Sequence, residues 1–197
     1  MFFVYKNHLT ARRTAFELAL LLGLGAALWL GGFSALCGRV RADTLRLHVV
    51  ANSDSSEDQA LKLRVRDAVL AVAGEAFDGT SDKASALAAA GEKLELFRRA
   101  AEEAVAASGL EQAVEVKLVR MSFGTTAYDG FTLPAGEYDA LRIELGEARG
   151  HNWFCVLYPA LCLPAAQKKS YASEAENDLI TGNYKVGFAL VDWWESR

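Results

Sequence analysis

Leu18 to Cys37 is an uncharged run of 20 residues, LALLLGLGAALWLGGFSALC, and no other feature constrains the chain as tightly. At about 1.5 Å per residue, a helix of that length spans about 30 Å, the thickness of a bilayer core. Lys6, Arg12 and Arg13 precede the run, while Arg39 and Arg41 follow it. The basic flank predicts an inside N-terminus and an outside bulk of the chain. The apolar core of a cleaved signal is usually about 7–15 residues, so the length here favours an uncleaved anchor. A cleaved signal stays open as the alternative. Leu36 is a poor fit to the small residue that lipoprotein processing requires before Cys37. A buried helix of a soluble domain is disfavoured by the basic flanks. The expected organisation is a tip, anchor and linker over residues 1–42, a core domain over 43–165 and an extension over 166–197.

Residues 1–42 hold five basic groups and one acid. Of the 21 basic and 25 acidic groups in the chain, that leaves 16 basic and 24 acidic ones beyond Ala42, a net charge of −8. An acidic domain repels nucleic-acid phosphates and anionic headgroups, so neither is an expected partner of it. With 52% apolar and 23% charged residues, the composition is that of a folded domain.

The rest of the chain alternates between two periodicities. Thr44 to Ala51 (TLRLHVVA) has Leu45, Leu47 and Val49 on one face and Arg46 and His48 on the other, which predicts a strand. Asn52 to Glu57 is a turn, and Ser55 or Ser56 caps a helix reaching about Ala73, with a capping box completed by Asp58 or Gln59. Its stripe is Leu61, Val65, Ala68, Val69 and Val72, with Lys62, Arg64, Arg66 and Asp67 elsewhere. A second helical stretch opens at Ser81 or Asp82 and ends near Ser108, broken near Gly91. Leu94, Phe97, Ala101, Ala104 and Val105 form its stripe, and Gly109 caps its end. Strands are predicted over 114–121, 138–145 and 151–157. Residues 167–178 read as an exposed loop or short helix. Tyr184 to Trp194 fits a strand and a helix equally. The order implies an α+β fold: two helices packed on one face of a mostly antiparallel sheet.

No Walker loop, G-x-S-x-G, H-E-x-x-H or G-x-G-x-x-G occurs in the sequence. Beyond the anchor there are two histidines, His48 and His151. A Cys155–His48–Asn152 nucleophile, a zinc site from His48, His151, Cys155 and Cys162, and a carboxylate pair from Asp54, Glu57 and Asp58 can each be drawn. Each has a simpler reading, since acids at a helix start favour its dipole. Cys155 and Cys162 bracket VLYPAL, with Pro159 to bend the chain. An extracytoplasmic setting favours a disulfide, which contributes about 2.5 kcal/mol in the chain-entropy model, over two buried thiols. Trp153, Phe154, Tyr158 and Leu161 form one apolar patch, and Trp193 and Trp194 another. Neither a cofactor nor a metal is expected.

Arg46 to Leu70 (RLHVVANSDSSEDQALKLRVRDAVL) and Leu133 to Cys162 (LPAGEYDALRIELGEARGHNWFCVLYPALC) resemble the two signature motifs of the stage II sporulation protein R family. With the helical stretch between them, the resemblance covers residues 44–163. It departs at Phe123-Gly124-Thr125-Thr126, where the family often has Phe-Pro-Thr and a basic residue, at Trp153-Phe154 (Trp-Trp) and at Pro159-Ala160 (Pro-Pro). The resemblance implies a non-enzymatic signal of endospore formation, exported to the cell membrane or the space between forespore and mother cell. There it implies a membrane-embedded aspartic protease of the mother cell as partner, activated to process a pro-sigma factor, with no small-molecule substrate. An expected contact edge carries His48, Asn52, Asp54, Asp58 and Arg66; a second carries Glu137, Arg142, His151, Asn152 and Trp153. For Asn52 to Asp54 the competing reading is a turn and cap, and for Glu137 and Arg142 a cross-strand pair. Rival functions are a cell-wall hydrolase, a passive septal structural protein and a metal-binding module.

Overall fold

The computed structural model describes residues 2–161, 170–171 and 173–182, with side chains from Arg12 onward. The chain divides into two compact units, residues 1–38 and 39–197. The first is built on α1 (Phe2–Ala42), whose stretch from Arg12 to Ala42 is long and apolar enough to cross a membrane, with a mean hydropathy of 1.9 over its most apolar 18 residues. Leu18, Leu22, Leu28 and Trp29 are exposed along it.

The second unit is α+β. Among the described residues its main sheet has the order β2-β5-β1-β6, from β1 (Leu45–Val50), β2 (Val114–Phe123), β5 (Gly136–Leu145) and β6 (Asn152–Tyr158). The β2–β5 and β1–β6 pairings are antiparallel and β1–β5 is parallel. One face carries Leu45, Leu47, Val49, Leu141, Ile143 and Leu145. It is covered by α2 (Ser56–Ala76), α3 (Lys83–Glu92) and α4 (Leu94–Ala107). Burial of these side chains is the main stabilising term, at about 1.5–3 kcal/mol each.

The predicted α2 stripe is seen, shifted toward the helix end. Leu61, Val65 and Val69 are buried, joined by Ala73 and Ala76, while Ala68 and Val72 are half-buried. Ser55 is the N-cap, its side chain accepting from the Asp58 N–H at 3.1 Å. The Ala-rich stretch breaks at Lys93, close to the expected Gly91, so three helices cover this face where two were predicted. Asp82 and Ser85 form a capping box that starts α3.

Two features depart from expectation. A small hairpin, β3 (Thr126–Tyr128) and β4 (Phe131–Leu133), forms a separate two-stranded sheet. Gly130 closes its two-residue turn at a φ of +85°. Asp129-Gly130 between apolar residues was the available signal. The second departure is β1 itself, expected to be one-sided and to lie at an exposed edge. It is central and buried on both faces, Arg46 at 0% and His48 at 3% exposure. Periodicity showed the alternation but not that the polar face is also covered. Part of 167–178 is helical, as α5 (Glu174–Thr181). Cys162, Trp193 and Trp194 lie outside the described residues, as does the strand-or-helix question at 184–194.

Candidate functional site

Two loops that are far apart in sequence lock together beside the N-terminus of α2. The Arg149 N–H donates to the Asn52 carbonyl (3.1 Å), and Gly150 donates to Ala51 (2.9 Å). The Asn52 side-chain oxygen accepts from the Glu147 N–H at 2.8 Å, and Asp54 Oδ1 accepts from the His151 N–H at 2.6 Å. Glycine is required twice. A Cβ on Gly146, where φ is +56°, would overlap the Asn52 amide, and one on Gly150 would overlap the Ser53 carbonyl.

Asp58 anchors this platform from below. It is only 6% exposed, and its carboxylate accepts from Asn52 Nδ2 (2.9 Å), Ser53 Oγ (2.5 Å) and Gln112 Nε2 (2.5 Å). Those hydrogen bonds, Ser53 foremost, hold its pKa below the usual carboxylate range. Asp58 was expected on an exposed edge. Its three donors close around it instead, so its role is internal. Lys62, expected off the buried stripe, is buried as well, donating to Gln59 Oε1 (2.6 Å) and to the His151 carbonyl (3.0 Å). Desolvation lowers its pKa.

On top of the platform lie the exposed members. His151 Nδ1 stands 2.5 Å from Asp54 Oδ1. Asp54 is held below its ordinary pKa, first by the His151 backbone N–H. Trp153 is 37% exposed, with the Arg66 guanidinium 4.5 Å from its ring centroid. Arg66 Nη2 also pairs with Asp67 Oδ1 at 2.7 Å. Exposed Leu63 precedes Arg66 by three residues on the same helix face. Asn152 opens β6 and is exposed. Thus Asp54, Arg66, His151 and Trp153 share one surface, supported by Asn52 and Asp58, whereas Asn152 alternates with Trp153 along β6 and points to the opposite face of the sheet.

The remaining residues lie elsewhere. Glu137 is exposed at the start of β5, opposite Ser122, whose hydroxyl donates to it. Eight residues of strand, about 26 Å, separate it from Leu145 and the loop that follows. Arg142 Nη2 pairs with Glu144 Oε1 (2.5 Å) of its own strand on the sheet face away from the helices, while Glu137 takes a cross-strand partner in Ser122. On that face Lys117 Nζ also meets Glu144 (2.7 Å). His48 lies there too, its ring centroid 4.9 Å from Phe154 and 6.0 Å from Phe123. Burial, then Arg142, depresses its pKa from 6.5 to about 4. His48 and Cys155 sit on opposite faces of the sheet, because their cross-strand partners, Phe154 and Leu47, alternate along the strands. The drawn Cys–His nucleophile therefore does not assemble. Asp54 and Asp58 likewise turn to different partners, His151 and Gln112. The Cys155–Cys162 pairing rests on Cys162 and lies outside the described residues.

A family model, Stage II sporulation protein R (spore_II_R), matches residues 41–168. The chain belongs to the stage II sporulation protein R family. A curated relative, Stage II sporulation protein R of Bacillus subtilis (strain 168), is 38% identical over 118 residues. The match covers 60% of this chain and 53% of the relative, so the chain spans about half the length of the curated protein it matches. No solved structure matches. The family match contains Asp54, Arg66, His151 and Trp153, so the exposed surface lies inside the region that defines the family.

Proposed function

We propose that the chain is an exported, non-enzymatic signal of endospore formation. It activates a membrane-embedded aspartic protease in the mother cell, which then processes a pro-sigma factor. Family membership supports the sporulation role, and the apolar helix α1 supports export or anchoring. The observation that carries the contact assignment is Trp153, half out of solvent with Arg66 stacked on it. A Trp and an Arg held rigid at the surface have the chemistry of an interface hot spot. The platform beneath them is fixed by backbone hydrogen bonds, so little ordering entropy opposes binding. Activation works by differential affinity: the domain binds the protease's active arrangement more tightly than its resting one and shifts the population.

The test is co-expression of the full chain, the protease and the pro-sigma substrate in a non-sporulating host, with substrate size followed on a gel. Processing is expected to depend on this chain. Trp153→Ala is expected to cost at least about 2 kcal/mol of binding, a drop of roughly thirtyfold in processing at limiting chain. Arg66→Glu is expected to act in the same direction, with the melting temperature of each variant close to that of the parent. Full processing by both well-folded variants would remove the contact from this surface. No processing at all by the exported parent chain would overturn the signalling role and raise the hydrolase and structural readings.

A further inference from the structure

The sheet face away from the helices holds a buried cation, Arg46, that forms no ion pair among the described residues. Arg46 is fully buried on the central strand, with its guanidinium carbon 4.0 Å from the Phe123 ring centroid and 5.0 Å from that of Tyr138. Only Nη2 is hydrogen-bonded, donating to Thr126 Oγ1 (3.1 Å) and Tyr128 Oη (2.7 Å) of the β3–β4 hairpin. Arg46 Nε and Nη1 have no partner, nor do both ring nitrogens of His48 and Nε of Arg142. These are five of the six unpartnered buried side-chain polar atoms among the described residues, and all lie on this face. A guanidinium offers donors only and no acceptor. Burying it against aromatic faces and two neutral hydroxyls leaves a desolvation cost of several kcal/mol that an apolar side chain would not carry.

We propose that this face is a carboxylate-binding site, in which a Glu or Asp side chain on a segment of a protein partner enters beneath the β3–β4 hairpin and pairs with Arg46. Three observations fit a carboxylate on an apolar stem. The vacant groups on Arg46 and Arg142 are all donors. The surrounding rings suit methylene groups better than a hydrated free anion. The cover over the guanidinium is held to it by two neutral hydroxyls, and a charge-assisted bond to a carboxylate is about twice as strong as a bond to either. The inference does not depend on the protease being the partner, nor on the Trp153 surface.

The experiment uses the full-length chain in detergent micelles. Its melting temperature is measured with acetyl-Ala-Glu-Ala-amide, with the Gln counterpart of that peptide and with sodium acetate, all at equal ionic strength. The Glu peptide is expected to raise the melting temperature by several degrees and the Gln peptide to leave it unchanged, because a ligand of the folded state stabilises it by mass action. Arg46→Met is expected to melt higher than the parent without peptide and to lose the response. Thr126→Asp places a carboxylate beside Arg46 within the chain, so it too is expected to melt higher and to ignore the peptide. It serves as the independent arm if Arg46→Met does not fold. Equal effects of the Glu and Gln peptides, a full response in either variant, or no response in the parent would overturn the site. A response to acetate as large as that to the peptide would overturn the peptide segment as its occupant.

Discussion

Asp58→Ala is expected to lower the melting temperature of the detergent-solubilised chain by roughly 6–20 °C. The carboxylate is buried and takes one hydrogen bond from each of Asn52, Ser53 and Gln112. Truncation strands three donors, and Gln112 Oε1 is already without a partner. Each stranded group costs about 1–3 kcal/mol, and loss of a buried charged hub typically costs about 3–5 kcal/mol in all. For a chain of this size, one kcal/mol corresponds to about 2–4 °C. The damage extends beyond α2, because Asn52 also holds the Glu147 N–H and the loop carrying His151. Substrate processing in the co-expression assay is therefore expected to fall with stability. Asp58→Asn keeps the shape but loses the charge and one acceptor, so its loss should be smaller. An Asp58→Ala variant that melts within about 2 °C of the parent would remove Asp58 as the anchor of the platform.

The second large effect is on acid stability. His48 is buried among Phe154 and Phe123, with Arg142 and Glu144 facing it from β5 and Arg46 on its own strand. Its pKa falls from 6.5 to about 4, first through burial and then through Arg142. The folded state thus binds fewer protons than the unfolded chain in this window. Stability must fall as pH drops from 6.5, and the full loss is in place near pH 4. A shift of this size corresponds to about 3 kcal/mol. Asp58 also favours its charged form in the fold, but its contribution is lost only at lower pH, as acid overcomes its depressed pKa. Chemical-denaturant unfolding at pH 7, 6, 5 and 4 separates the two. His48→Phe is expected to flatten the profile between pH 6.5 and 4 and to leave the part below it. If His48→Phe retains the parent's slope in that window, another group causes it.

The membrane-length apolar run, the alternating strands at 44–51, 114–121, 138–145 and 151–157, and the cap at Ser55 were all legible in the sequence, because each depends on neighbours within one or two turns. The exposed part of the candidate site was legible only as two separate motifs. Asn52-Ser53-Asp54 and Gly150-His151-Asn152-Trp153 gave no sign that they meet. The joining bonds link residues 95 or more apart, and every one of them uses at least one group, a backbone N–H or carbonyl or a common turn side chain, that carries no sequence signature of its distant partner. The two glycines were the nearest trace, since Gly146 and Gly150 are where the partner loop leaves no room for a Cβ.

The sequence by itself determined the class of this protein: an apolar helix long enough for a bilayer, an acidic α+β domain and two motifs sufficient to place it in its family. Tertiary structure alone decided which polar residues face solvent. His48, Asp58 and Lys62 read as surface groups and are buried. The reason is that period-2 and period-3.6 patterns fix which side chains share a face. Whether that face meets water, a helix layer or a small hairpin depends on elements brought in from elsewhere in the chain.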